Sequence, residues 1–148
     1  MIANLWIYTA LSAAMCWGFG YTIAERVMKM GDPPPFMLII SGFTTFFCYL
    51  IISLYTGKFG EGAKVVASDY RTFFMCALFG LTVVIGNYLI FISIAHKNAT
   101  LVNMIEIAYP LFTFLFAWLL FREVQLNWST AIGGLLIFAG VGVIYWKS

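Results

Sequence analysis

The chain has 148 residues, 63% of them hydrophobic and only 9% charged, with a formal net charge of +2 and a mean hydropathy of +0.95. A soluble domain is about 45–50% apolar and about 25% charged, so this composition excludes a water-soluble or disordered chain. At about 20 residues per membrane crossing there is no room for a large catalytic domain outside the bilayer, and the 8 basic residues form no block that would grip nucleic acid.

Met1-Ile2-Ala3-Asn4 carries no side-chain charge, unlike the positive start of a cleaved signal peptide, so the first apolar stretch is expected to remain in the mature protein. Five stretches are long enough to cross a bilayer: residues 5–24, 36–55, 72–94, 101–121 and 128–146. Each is apolar nearly all round, whereas a soluble core helix would show a polar face at period 3.6. The expected fold is all-α: one polytopic five-helix transmembrane domain over residues 1–148.

Span one carries Thr9, Ser12, Cys16 and Gly20 at helical spacing, with Trp17 and Tyr21 beside them. The first joint, Glu25 to Asp32, ends in Pro33-Pro34-Pro35, a turn that stiffens entry into span two. Span two repeats the small polar pattern in Ser41, Thr44, Thr45 and Cys48, and Asn87 with Tyr88 interrupts span three. In membranes such stripes serve helix packing as readily as ligand binding. Cys16, Cys48 and Cys76 lie in separate spans with no CxxC spacing, and read as small packed hydrophobes. The joint over residues 56–71 is glycine-containing and too short to be a domain, and residues 95–100, with the sole histidine His96, close a tight hairpin.

Span four holds the one acid or base well inside a crossing. An aspartate at a helix centre costs about 2.5–3.5 kcal/mol on insertion scales, so Glu106 needs a reason to be there. Asn103 and Tyr109 stand at i−3 and i+3 on its face, and Pro110 at i+4 lacks the N–H that would bond the Glu106 carbonyl. A carboxyl and a helix break therefore fall on one turn. That combination suits a substrate or proton site lining a cavity, and equally a protonated structural glutamate bonded to a neighbour. In span five Gly133, Gly134 and Gly140 belong to a small-residue surface suited to packing or dimer contact.

With the N-terminus inside, the inner joints hold Lys58, Lys64, Arg71 and Arg122 and the outer ones Arg26, Lys29, Lys97 and Lys147. Since an excess of Lys and Arg fixes the cytoplasmic side, this tie predicts weak or dual topology. No Ser/His/Asp set, paired carboxylates, metal-ligand cluster or phosphate loop stands in the spans, so neither enzyme chemistry nor a cofactor or metal is expected.

From Ala95 onward the chain resembles the EamA-type half of the drug/metabolite transporter superfamily. Pro110 followed by the apolar run Leu111 to Phe121 and the closing Arg122-Glu123 is similar to that family's fourth helix, Ala131 to Val141 to its glycine-bearing last helix, and Trp17-Gly18 to its first. The resemblance implies small-metabolite transport by ten spans in two inverted five-span repeats, and hence a homodimer of single repeats, antiparallel for preference, or a heterodimer with a similar chain. Pro110 would be its helix break, Glu123 a loop acid bracing a helix end, and Gly133 and Gly140 packing positions. Glu106 departs from the family pattern, where a small residue is more usual.

The expected function is secondary active transport of a small metabolite or organic cation, with proton coupling, by an integral protein of a prokaryotic inner (plasma) membrane. Glu106, Asn103, Tyr109, Asn87, Tyr88, Trp17 and Tyr21 are the candidate binding residues, the aromatics suiting a cation. The alternative is a membrane-embedded assembly subunit that binds a larger partner through its span-five glycines.

Overall fold

A computed structural model describes residues 5–123 and 127–147, so the reading of the first four residues lies outside the described part. The described residues form seven α-helices and one π-helical turn: α1 (Leu5–Lys29), α2 (Pro34–Tyr55), α3 (Phe59–Ser68), α4 (Tyr70–His96), α5 (Ala99–Glu106), α6 (Tyr109–Phe116), the π turn (Ala117–Phe121) and α7 (Trp128–Lys147). The all-α expectation holds.

By length and composition three segments can cross a membrane: Pro34–Tyr55, Tyr70–His96 and Ala99–Phe121. In α7 the apolar run is shorter, Ala131–Trp146, and α1 is long enough at 25 residues but diluted by Trp, Tyr, Thr, Ser and Gly. None of the most apolar window in α2 or α4 is buried within the chain, so those side chains must face lipid or another protein. The cysteines follow the same rule: Cys16, Cys48 and Cys76 are free and exposed, which corrects their reading as packed hydrophobes.

Three boundaries differ from the sequence expectation. The first helix runs on to Lys29 instead of stopping at Ala24, because Glu25 and Lys29 form an i,i+4 ion pair and Arg26 and Lys29 sit favourably at the carbonyl end. Gly31, at φ +103°, then turns the chain. The joint over residues 56–71 is not a plain loop but contains α3. Span four is three pieces, interrupted at Ile107-Ala108 and closed by the π turn.

The chain divides into two compact units. In the unit Phe19–His96, α2 packs on α4 and α3 packs on both. Pro33, extended at φ −70° and ψ 140°, caps α2, and Pro34 occupies its first turn, where no N–H is needed. The far end of α2 closes in a Schellman motif: Gly57, at φ +69°, donates to the Leu54 carbonyl and Lys58 to the Ser53 carbonyl. Asp69 caps α4, its carboxylate accepting from the Arg71 and Thr72 amides at 3.1 and 3.0 Å and from the Thr72 hydroxyl at 2.7 Å. Those bonds, the Thr72 hydroxyl first, hold the Asp69 carboxyl below its ordinary pKa. In the other unit, the described residues of Met1–Gly18 and Lys97–Ser148, Asn98 caps α5 by accepting from the Leu101 amide at 2.9 Å, and α5 packs on α7.

Candidate functional site

The predicted site residues fall into two groups, one in each unit. Around the break in span four, α5 ends at Glu106 with the Ile107 amide donating to the Asn103 carbonyl at 3.1 Å. The Ala108 amide donates to Ile105 and the Leu111 amide to Ala108, both at 3.1 Å, which starts α6 with Pro110 in its first turn. Proline cannot extend the α5 ladder, so the chain restarts instead of continuing. Asn103 lies one helical turn from Glu106 in α5, and Tyr109 opens α6 after the two-residue interruption and is 63% exposed. Glu106 is half-buried, and the Asn103 side-chain Oδ1 is buried with no hydrogen-bond donor. An amide oxygen shut away from partners costs about 1–3 kcal/mol, which a ligand's N–H or O–H would relieve.

Arg122 ends the same span. It adopts the left-handed region at φ 59°, its amide donates to the Trp118 carbonyl at 3.1 Å, and its guanidinium lies 5.6 Å from the centre of the Trp118 ring. This cation–π contact holds a charge at the span's edge. Sequence reasoning missed the π turn beneath it, for which no residue pattern gives a signal.

In the second group, Asn87 and Tyr88 of α4 line a groove against α2 of about 640 Å³, a volume that suits a small molecule. Pro35, Leu38, Ser41, Thr45 and Phe46 form the facing wall. Ser41 and Thr45, one turn apart, thus share the groove with Asn87, while the Ser41 hydroxyl donates to the Leu38 carbonyl at 3.1 Å. The lining is mostly apolar with a few convergent polar groups. Of the α1 aromatics, Tyr21 is buried edge-on against Phe91, with ring centres 5.9 Å apart, and Trp17 is exposed.

The α7 glycines are not equivalent. A Cβ on Gly134 would lie 2.8 Å from Leu111 Cδ2, so this glycine admits α6 closely, whereas Gly133 and Gly140 face open space. Intrachain packing accounts for Gly134 alone.

A discontinuous, apolar-walled helical chain with polar groups at its break matches the EamA-like transporter family over residues 4–146, and the chain belongs to that family. It is therefore an integral membrane protein of the drug/metabolite transporter type. No curated protein and no solved structure matches it.

Proposed function

We propose that this chain is a secondary active transporter of small organic cations or amphipathic metabolites, coupled to protons and assembled from two copies. The observation that carries the reading is the buried, donor-less Asn103 Oδ1 one turn from Glu106 at a helix break. Helix breaks in membranes are tolerated where they line a cavity, and their exposed backbone groups serve as ligand sites. In this scheme Glu106 binds a proton or a cationic substrate in turn and Asn103 accepts a hydrogen bond from the substrate, while the α2/α4 groove with Asn87 and Tyr88 is a separate candidate place for an apolar molecule within its own unit. Trp17, Tyr21 and Tyr109 are the further aromatic candidates for contact with a cation, each considered within its own unit.

The pairing rests on the open Gly133 and Gly140, which offer close approach to a second copy. An antiparallel pair agrees with the four-to-four distribution of basic residues. The same open glycines also support the reading as an assembly subunit. Proteoliposomes carrying a lumenal pH dye and a pH gradient separate the two: addition of organic cations should release protons in step with uptake. A folded protein that moves no proton with any cation or amphipathic metabolite in a panel contradicts transport and favours the subunit.

A further inference from the structure

The ten-residue helix α3 has no part in the transport scheme, yet its two sides differ sharply. Phe59, Ala63 and Val66 fall on one face at i, i+4 and i+7, and Glu61, Lys64 and Ser68 on the opposite one. Phe59 nevertheless remains 49% exposed and the neighbouring Val65 58% exposed. Both ends of α3 are tied within a few residues to crossing helices, α2 ending at Tyr55 and α4 beginning at Tyr70. These two tyrosines, 92% and 87% exposed, mark where aromatic side chains anchor spans at the headgroup layer. The tether thus holds the exposed Phe59 at the headgroup level, where lipid meets the part of α3 that α2 and α4 leave uncovered.

Charge selects the lipid. Lys58 is paired with Glu61 at 2.8 Å, and the Asp69 carboxylate is engaged by Thr72 and the Arg71 amide. The segment's three cations, Lys58, Lys64 and Arg71, outnumber its two acids, Glu61 and Asp69, which leaves a net charge of +1; Arg71 shares the Asp69 charge, and Lys64 has no acid against it among the described residues. We infer that α3 is a lipid-docking element lying in the membrane interface, with Phe59 and Ala63 in the acyl boundary and Lys64 and Arg71 on the phosphates of anionic phospholipid. Amphipathic helices bind in this way through apolar burial plus attraction to anionic headgroups.

The test uses the full chain with Cys16, Cys48 and Cys76 replaced by Ala and a bimane fluorophore on Phe59→Cys or, as a control, on Glu61→Cys. It is reconstituted in mixed phosphatidylcholine and phosphatidylglycerol vesicles in which one lipid or the other carries brominated chains. Bromine should quench the label at 59 strongly and the label at 61 weakly. Brominated phosphatidylglycerol should be favoured at 59, and that preference should fall by roughly fivefold for each charge removed in Lys64→Gln and Arg71→Gln. Equal quenching at 59 and 61, or a preference unchanged in the double variant, overturns the inference. If removal of the cysteines prevents folding, the otherwise native chain is melted in nanodiscs of each lipid. Stabilisation by phosphatidylglycerol that Lys64→Gln with Arg71→Gln abolishes supports the inference, and equal stabilisation of parent and double variant overturns it.

Discussion

At the scale of single residues, the polar groups of this chain divide into those satisfied locally and those left for something else. Thr9, Thr44, Ser93 and Thr113 return their hydroxyls to carbonyls one turn back, the usual fate of small polar residues in membrane helices. Asp69 is satisfied too, and its carboxylate carries a testable pH dependence. A folded-state pKa below the unfolded one gives stability that is fully present above the ordinary value of 3.8 and is lost as pH falls below it. Asp69→Ala should therefore melt earlier than the parent at neutral pH and show a shallower decline on acidification. Parallel melting curves across that range would remove Asp69 from the account. Asn103 belongs to the other class, because its buried Oδ1 has no donor. Spacing put the helix break next to Glu106 and Pro110, and α5 does end at Glu106 with α6 starting at Tyr109-Pro110. It gave no sign that the interruption itself falls at Ile107-Ala108, between Glu106 and Tyr109.

At the scale of elements, the long apolar helices were legible and the short or composite ones were not. Residues 36–55, 72–94 and 128–146 agree with α2, α4 and α7 to within two residues at each end, since hydropathy and length dominate there. Three glycines hid α3, although Phe59, Ala63 and Val66 repeat at helical spacing and Asp69 with Thr72 forms a recognisable helix start. The extension of α1 was hidden by treating Glu25 and Lys29 as loop charges, when at i,i+4 they brace a helix. The glycines of α7 give a prediction at this scale. Gly134→Ala must displace the flexible end of Leu111 and should cost about 1 kcal/mol of stability, at the low end for overpacking. A Cβ at Gly133 or Gly140 meets no atom of the described chain within 4 Å, so Gly133→Leu with Gly140→Leu should leave the monomer's melting intact while weakening dimerisation. A double variant that elutes and melts like the parent places that face against lipid.

For the whole molecule, membership in the EamA-like family fixes the class of work, and the charge distribution bears on how copies are inserted. Gly60→Lys with Ser68→Lys adds two positive charges to the segment between α2 and α4, at positions whose backbone tolerates them: a Cβ at Gly60 meets no atom within 4 Å, and the Ser68 hydroxyl donates to the Val65 carbonyl of its own helix. Such a bias should force one orientation and, if the pair is antiparallel, reduce transport. Full activity in a population shown by accessibility labelling to be uniformly oriented would exclude an obligatory antiparallel pair. The central claim, however, is that the break in span four carries the coupling. It is tested most directly by reconstituting the parent and Glu106→Gln side by side in liposomes under the same pH gradient and measuring uptake of a transported cation. Glu106→Gln keeps the side chain's shape and removes its exchangeable proton, so it should fold and dimerise like the parent and lose uphill uptake altogether. Accumulation against the gradient by Glu106→Gln would contradict the account.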